Sequence, residues 1–104
     1  MLAALEPHGY MRQAGSAGSA WQFVPVLAPS SETRVASLTH ARRRGVELRT
    51  YFTVPLHRMP AFASTPAAGA LARTEDLAAR ILSLPMANDL SDDDIDAIVA
   101  CLSN

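Results

Sequence analysis

The chain has 104 residues, a formal net charge of -1 and 49% hydrophobic residues, a composition typical of one small globular domain. All 9 basic residues are arginine, so the sequence has no lysine to form a Schiff base or contact a bound phosphate. The near-neutral charge argues against a nucleic-acid binder, and no apolar run approaches the ~18 residues of a membrane span. Since the lone Cys101 cannot form an internal disulfide and no basic secretory signal opens the chain, we expect a cytoplasmic protein.

Residues 1–20 differ in character from the rest of the chain. Their second part, residues 14–20, reads Ala-Gly-Ser-Ala-Gly-Ser-Ala and contains no side chain large enough to anchor a core. We therefore expect a poorly structured or weakly helical beginning followed by a linker, with the folded domain over residues 21–104.

Two segments are predicted to form strands. Residues 21–27 are aromatic and β-branched, but Pro25 cannot donate a ladder hydrogen bond, which places this strand at a sheet edge or ends it there. Residues 46–52 alternate between two faces, the pattern of a strand with one buried side.

Three helices are predicted from their start and stop signals. The first follows Pro29-Ser30-Ser31 and stops at Gly45, the second runs from Thr74 to Pro85, and the third begins after Ser91. Apolar stripes along these helices would pack on one face of a small sheet, giving an α+β domain. The stripes are Val35, Leu38 and Ala41; Leu77, Ile81 and Leu84; and Ile95, Ile98, Val99 and Leu102.

A proline-rich loop follows the second predicted strand and carries the main candidate site. Tyr51, His57 and Arg58 bring a phenol, an imidazole and a guanidinium within eight residues, a group able to hold an anionic or hydroxyl-rich ligand. The alternative is that these side chains only satisfy nearby backbone groups or solvent.

Other polar groupings predict no catalytic or metal site. No ligand spacing joins the three histidines to Cys101, and the acidic run at residues 92–96 lacks the glycine of a calcium loop. That run is better explained as the capped start of a helix. The arginines at positions 42–44 are interpreted as a solvated helix end, in preference to a phosphate-binding patch.

Four segments, in order, are similar to the C-terminal small domain of the DegT/DnrJ/EryC1/StrS sugar aminotransferases, which have the aspartate-aminotransferase fold (fold type I). They are residues 45–52, GVELRTYF; residues 55–62, PLHRMPAF; residues 74–86, TEDLAARILSLPM; and residues 90–95, LSDDDI. The resemblance extends over residues 21–102.

The resemblance implies a role in pyridoxal-phosphate chemistry. Members of the family move an amino group from glutamate or glutamine to a nucleotide-linked ketosugar, using a lysine on a large domain that nothing in this sequence matches. The chain would then be a detached or truncated small domain, inactive alone and binding no cofactor alone. It would complete the substrate side of an active site supplied by a separate large-domain chain.

In that setting the resemblance places His57 on the substrate side, and Tyr51 and Arg58 would join it in contacting the nucleotide-linked sugar. A structural histidine that ties the loop to the sheet is the competing interpretation of His57. For the chain as a whole, the alternatives are a non-catalytic binding or regulatory module and an inactive truncated gene product. Surface left uncovered by the missing domain would favour self-association or a partner protein.

Overall fold

The computed structural model describes residues 1–103 and has an α+β fold, which confirms the predicted fold class. A small antiparallel sheet is accompanied by four helices and three short 3-10 turns. The helices are α1 (Leu2–Leu5), α2 (Ser31–Arg43), α3 (Ala72–Arg80) and α4 (Asp92–Leu102). The strands are β1 (Met11–Arg12), β2 (Val24–Leu27) and β3 (Ile81–Leu84), and the 3-10 turns cover Glu6–His8, Leu56–Arg58 and Pro60–Phe62. Within residues 1–103, no helix is both long and apolar enough to cross a bilayer.

The strand that contains Pro25 is the central one, so its predicted edge position is wrong. Strand β2 pairs with β1 on one side and with β3 on the other, and Pro25 stands opposite Ser83. Both backbone groups of Ser83 bond to Arg49 on the far side of β3, so Pro25 and Ser83 form a non-hydrogen-bonded pair. The nitrogen of Pro25 therefore faces the β1 side. Because β1 ends at Arg12, opposite Val26, the missing N–H costs no ladder bond there.

The second predicted strand, residues 46–52, is reduced to a single bridge. Arg49 exchanges two backbone hydrogen bonds with Ser83, of 2.7 and 3.1 Å, and no other residue of the segment pairs. At its start, Val46 donates to the carbonyl of Ala41 at the end of α2; at its other end a turn begins at Tyr51. The segment therefore adds one bridge to the outer side of β3 and does not form a strand of the sheet.

The helix predicted from Thr74 to Pro85 is wrong over its last third. Helix α3 ends at Arg80, and Ile81 continues directly as β3, paired with β2 along its length. Leu82, Ser83 and Leu84 are all buried, so both faces of the strand are covered. A short apolar run before a proline fits either a helix or a strand, and pairing with β2 decides between them.

The first residues of the chain take part in the core. Leu5 and Tyr10 are 1% and 3% exposed, and the hydroxyls of Tyr10 and the fully buried Ser37 share a 2.6 Å hydrogen bond. Gly9 makes this path possible: its φ of +80° suits glycine, and a Cβ would lie 3.0 Å from the Pro29 ring. The division after residue 20 stays a prediction, although residues before it contribute to both core and sheet.

The starts of α2 and α4 are as predicted, whereas α3 begins at Ala72, two residues before the predicted Thr74, and has no side-chain cap. The Ser30 hydroxyl accepts from the N–H of Thr33, and Ser91 and Asp94 form a reciprocal capping box at α4. The predicted stripes are only partly correct, because Val35 and Leu77 are exposed. Cys101 is completely buried in the core.

Candidate functional site

The loop after Arg49 presents His57 and Arg58 from a short, stiff turn. Pro55 holds an extended backbone, and the N–H of Arg58 donates to its carbonyl at 2.9 Å, which closes the 3-10 turn Leu56–Arg58. A second turn begins at once at Pro60. The prolines fix φ on both sides of the pair, so the imidazole and the guanidinium have little backbone freedom.

A third residue, Glu75 in the first turn of α3, joins the two side chains. Its Oε1 lies 2.6 Å from His57 Nε2 and 2.6 Å from Arg58 Nε. We call these three residues the Glu75 cluster. Glu75 is not among the site residues predicted from the sequence, because 18 residues separate it from His57 and no short motif joins them. Its only signal was an acid in the first turn of the helix that follows the loop, which the helix dipole alone would explain.

The electrostatics of the cluster favour an ionised Glu75. The hydrogen bond from Arg58 lowers the pKa of Glu75 below its ordinary value of 4.5, and the hydrogen bond from His57 lowers it further. Partial desolvation opposes both effects but is smaller. The carboxylate therefore balances the charge of Arg58, and the cluster carries less positive potential than its sequence suggests.

Tyr51, the third predicted ligand contact, belongs to a different group of side chains. Its ring lies 4.9 Å from that of Phe23 and 5.5 Å from that of Phe52, both in tilted arrangements. In the described part of the chain, no hydrogen bond links Tyr51 to the Glu75 cluster. The structure thus brings His57 and Arg58 together and places Tyr51 among aromatic rings.

Two open apolar clefts adjoin each other at Leu77 and Ile81, which line both of them. The first, of about 440 Å³, borders the sheet beside Pro25, and the second, of about 300 Å³, borders the loop that carries His57. Several of their lining side chains are large and well exposed, so a substantial apolar surface faces solvent. These are Met11, Phe52, Val54, Leu56 and Leu77.

The chain's own residues do not fit a covalently held aldehyde cofactor, and no three His, Cys, Asp or Glu side chains of residues 1–103 gather to hold a metal ion. Attachment through an imine requires a lysine, which the sequence lacks. The two candidate ligand contacts of the loop, His57 and Arg58, each already contact Glu75.

The chain is similar to a known protein family and to longer proteins. The model of the DegT/DnrJ/EryC1/StrS aminotransferase family matches residues 1–103, so the likeness begins earlier than residue 21. Protein Rv3402c of Mycobacterium tuberculosis is 34% identical over 83 residues, which are 77% of this chain and 20% of that protein.

Two further matches are to aminotransferases. The dTDP-3-amino-3,4,6-trideoxy-alpha-D-glucose transaminase of Streptomyces venezuelae is 34% identical over 84 residues, covering 69% of this chain and 22% of the enzyme. The crystal structure of a DegT DnrJ EryC1 StrS aminotransferase from Brucella abortus superposes with a TM-score of 0.81 at 31% identity, over 96% of this chain and 26% of the other. The chain thus spans about a fifth to a quarter of the length of these relatives.

Proposed function

Because the chain belongs to the DegT/DnrJ/EryC1/StrS aminotransferase family, we propose that it supplies the small, substrate-side part of a cytoplasmic nucleotide-sugar aminotransferase. The lysine and the pyridoxal phosphate would come from a separate large-domain polypeptide. The 104 residues would therefore be inactive alone.

The observation that carries this proposal is that the chain aligns with only about a fifth to a quarter of each relative and contains no lysine in that part. The family's chemistry needs a lysine amine to hold the cofactor, and no residue of this sequence provides one. The matched relatives are about four to five times longer than the region they share with this chain, so they have room for the missing machinery. The chain's own side chains would bind the substrate and would carry out no reaction step.

The role we assign to the chain is ligand contact. Arg58 is 64% exposed and contacts Glu75 through Nε, which leaves its outer N–H groups free to donate to a phosphate oxygen. His57 uses one ring nitrogen on Glu75 and keeps the other for a sugar hydroxyl. Tyr51 offers an aromatic surface and a phenol from the same loop.

The exposed apolar clefts support the proposal that a protein partner binds this chain. Apolar area left in water weakens folding by roughly 25 cal/mol per Å² relative to burial, so a chain with such clefts gains stability when a second surface covers them. We propose that a large-domain chain covers them, and that the chain self-associates when this partner is missing.

Co-expression tests the proposal. The chain is produced with a large-domain polypeptide from the same genome that carries the family lysine and lacks this C-terminal part. We expect the two to copurify, and the complex to transfer the amino group of glutamate to a dTDP-linked ketosugar. The variant His57→Ala should lose substrate affinity or turnover with only a small drop in melting temperature, because it removes one of the two hydrogen bonds to Glu75. His8→Ala, which changes an exposed histidine outside the loop, should behave as the wild type.

Other results would point to the alternatives. Binding of dTDP-glucose by the chain alone, without a partner, would indicate a binding or regulatory module. Failure to bind either a partner or a sugar nucleotide would indicate a truncated product without activity. A melt that collapses in His57→Ala, with normal substrate constants in the folded remainder, would assign His57 a structural role.

A further inference from the structure

We propose that Glu75 is a positioning residue: it holds the Nε2–H of His57 and the Nε–H of Arg58, and so leaves His57 Nδ1 as a hydrogen-bond acceptor for a sugar hydroxyl. This inference rests on the proposed function, since it specifies how His57 and Arg58 would meet a nucleotide-linked sugar. It adds Glu75 to the site, and it specifies that His57 accepts the hydrogen bond from the sugar.

The donor and acceptor roles follow from the chemistry of the Glu75 carboxylate and the His57 ring. An ionised carboxylate only accepts hydrogen bonds, so the 2.6 Å contact requires the proton to lie on His57 Nε2. In the neutral ring Nδ1 then carries a lone pair and no proton. A sugar hydroxyl can donate to that nitrogen, whereas a phosphate oxygen cannot.

The second ring nitrogen is available for this contact. Within residues 1–103, His57 Nδ1 makes no hydrogen bond, and it is not among the buried side-chain atoms that lack a partner. Those buried atoms are Arg34 Nε and His40 Nδ1. His57 Nδ1 is therefore not fully buried, and it belongs to a side chain that is 24% exposed.

Arg58 is oriented by the same oxygen atom. Its guanidinium is planar, so a hydrogen bond from Nε restricts the plane in which the outer N–H groups lie. Because Glu75 also offsets the positive charge, the cluster attracts a free anion less than an isolated arginine would. A ligand that combines hydroxyl and phosphate groups fits this arrangement better than inorganic phosphate does.

Glu75 is suited to positioning because its own helix is anchored. The carbonyl of Ala78 accepts from Arg34 Nη1 of α2 at 2.9 Å. At the end of α3, Arg80 and Ala28 exchange two hydrogen bonds: Arg80 Nε donates to the Ala28 carbonyl at 2.8 Å, and the Ala28 N–H donates to the Arg80 carbonyl at 3.0 Å. The carboxylate is therefore held by a regular element, and the two loop residues are held by the carboxylate.

The first arm of the test uses ¹⁵N NMR on the full chain to find which ring nitrogen of His57 carries the proton. It is done at a pH where the ring carries one proton. We expect a single form with the proton on Nε2 in the wild type, and a mixture of the two tautomers in Glu75→Ala. Asp76→Ala is the matched control, because it removes a carboxylate from the same helical turn, paired with Arg80 and not with the loop. A proton on Nδ1, or a mixture in the wild type, would overturn the proposal.

The second arm measures dTDP-glucose binding by the co-expressed complex. Glu75→Ala should weaken binding about tenfold, as expected for about 1.4 kcal/mol, and raise KM with little change in kcat. Asp76→Ala should change neither. Tighter binding in Glu75→Ala would show that the carboxylate competes with the ligand for His57 and Arg58, which would refute positioning. If the wild-type complex binds no dTDP-glucose, the proposed function fails, while the NMR arm still decides whether Glu75 orients the ring.

Discussion

Truncation of Leu5 tests whether the first residues of the chain belong to the fold. The side chain is 1% exposed and lies in the main core cluster, where α1 packs against α4. If residues 1–20 were a detachable linker, Leu5→Ala would leave the free energy of unfolding unchanged. The structure predicts a clear loss.

The size of the loss follows from the burial of Leu5. Leucine-to-alanine substitutions in cores cost about 2–5 kcal/mol, depending on how far the surroundings collapse into the cavity. Helix α1 has only four residues and no side-chain cap, so it can shift toward the cavity. We therefore expect the lower part of that range, about 2–3 kcal/mol. For a domain with a total stability of about 5–15 kcal/mol, this is a large fraction.

Urea unfolding followed by circular dichroism measures the effect. With a slope of about 1–3 kcal/mol per molar, the midpoint should fall by about 0.7–3 M. Val35→Ala is the control: Val35 is 56% exposed on α2, so its truncation should change stability by less than about 0.5 kcal/mol. Equal midpoints for wild type and Leu5→Ala would refute the placement of Leu5 in the core.

Three further outcomes are expected. The lowered pKa of Glu75 means that its ionised form stabilises the fold; this contribution is complete above the ordinary value of 4.5 and is lost as the pH falls through the lowered folded-state pKa. The difference in urea midpoint between wild type and Glu75→Ala should therefore shrink between about pH 6 and pH 3, and a constant difference would contradict this. Ser91→Ala removes the cap of α4 and should cost about 1 kcal/mol in the same assay, whereas an unchanged midpoint would count against the capping box. Incubation with pyridoxal phosphate and borohydride should give no side-chain adduct by mass spectrometry, because the sequence has no lysine.

Features set by local sequence were predicted well. Helices α2 and α4 begin where Ser30 and Ser91 cap them, and α2 stops at Gly45, whose φ of +70° suits glycine. Each of these signals acts within one turn of its own helix, so no knowledge of the rest of the fold was needed.

Features that depend on distant partners were not predictable in the same way. Residues Ile81–Leu84 become a strand because β2 lies beside them, although β2 is more than fifty residues earlier in the chain. Pro25 sits in the central strand because β1 happens to end beside it. Likewise, His57 and Arg58 were found in the loop, but Glu75 became visible only when α3 was placed against that loop.

The direct passage from α3 to β3 couples the candidate site to the sheet. No loop separates Arg80 from Ile81, so the register of the strand also sets the rotation of the helix that carries Glu75. An α-helix turns by about 100° per residue, and a strand reverses its faces with each one. One residue inserted at this junction would therefore force a choice: either β3 keeps its buried face and Glu75 swings away from His57, or Glu75 stays in place and the strand exposes its core residues. Length at this point of the chain is thus as constrained as the identity of the residues in the cluster.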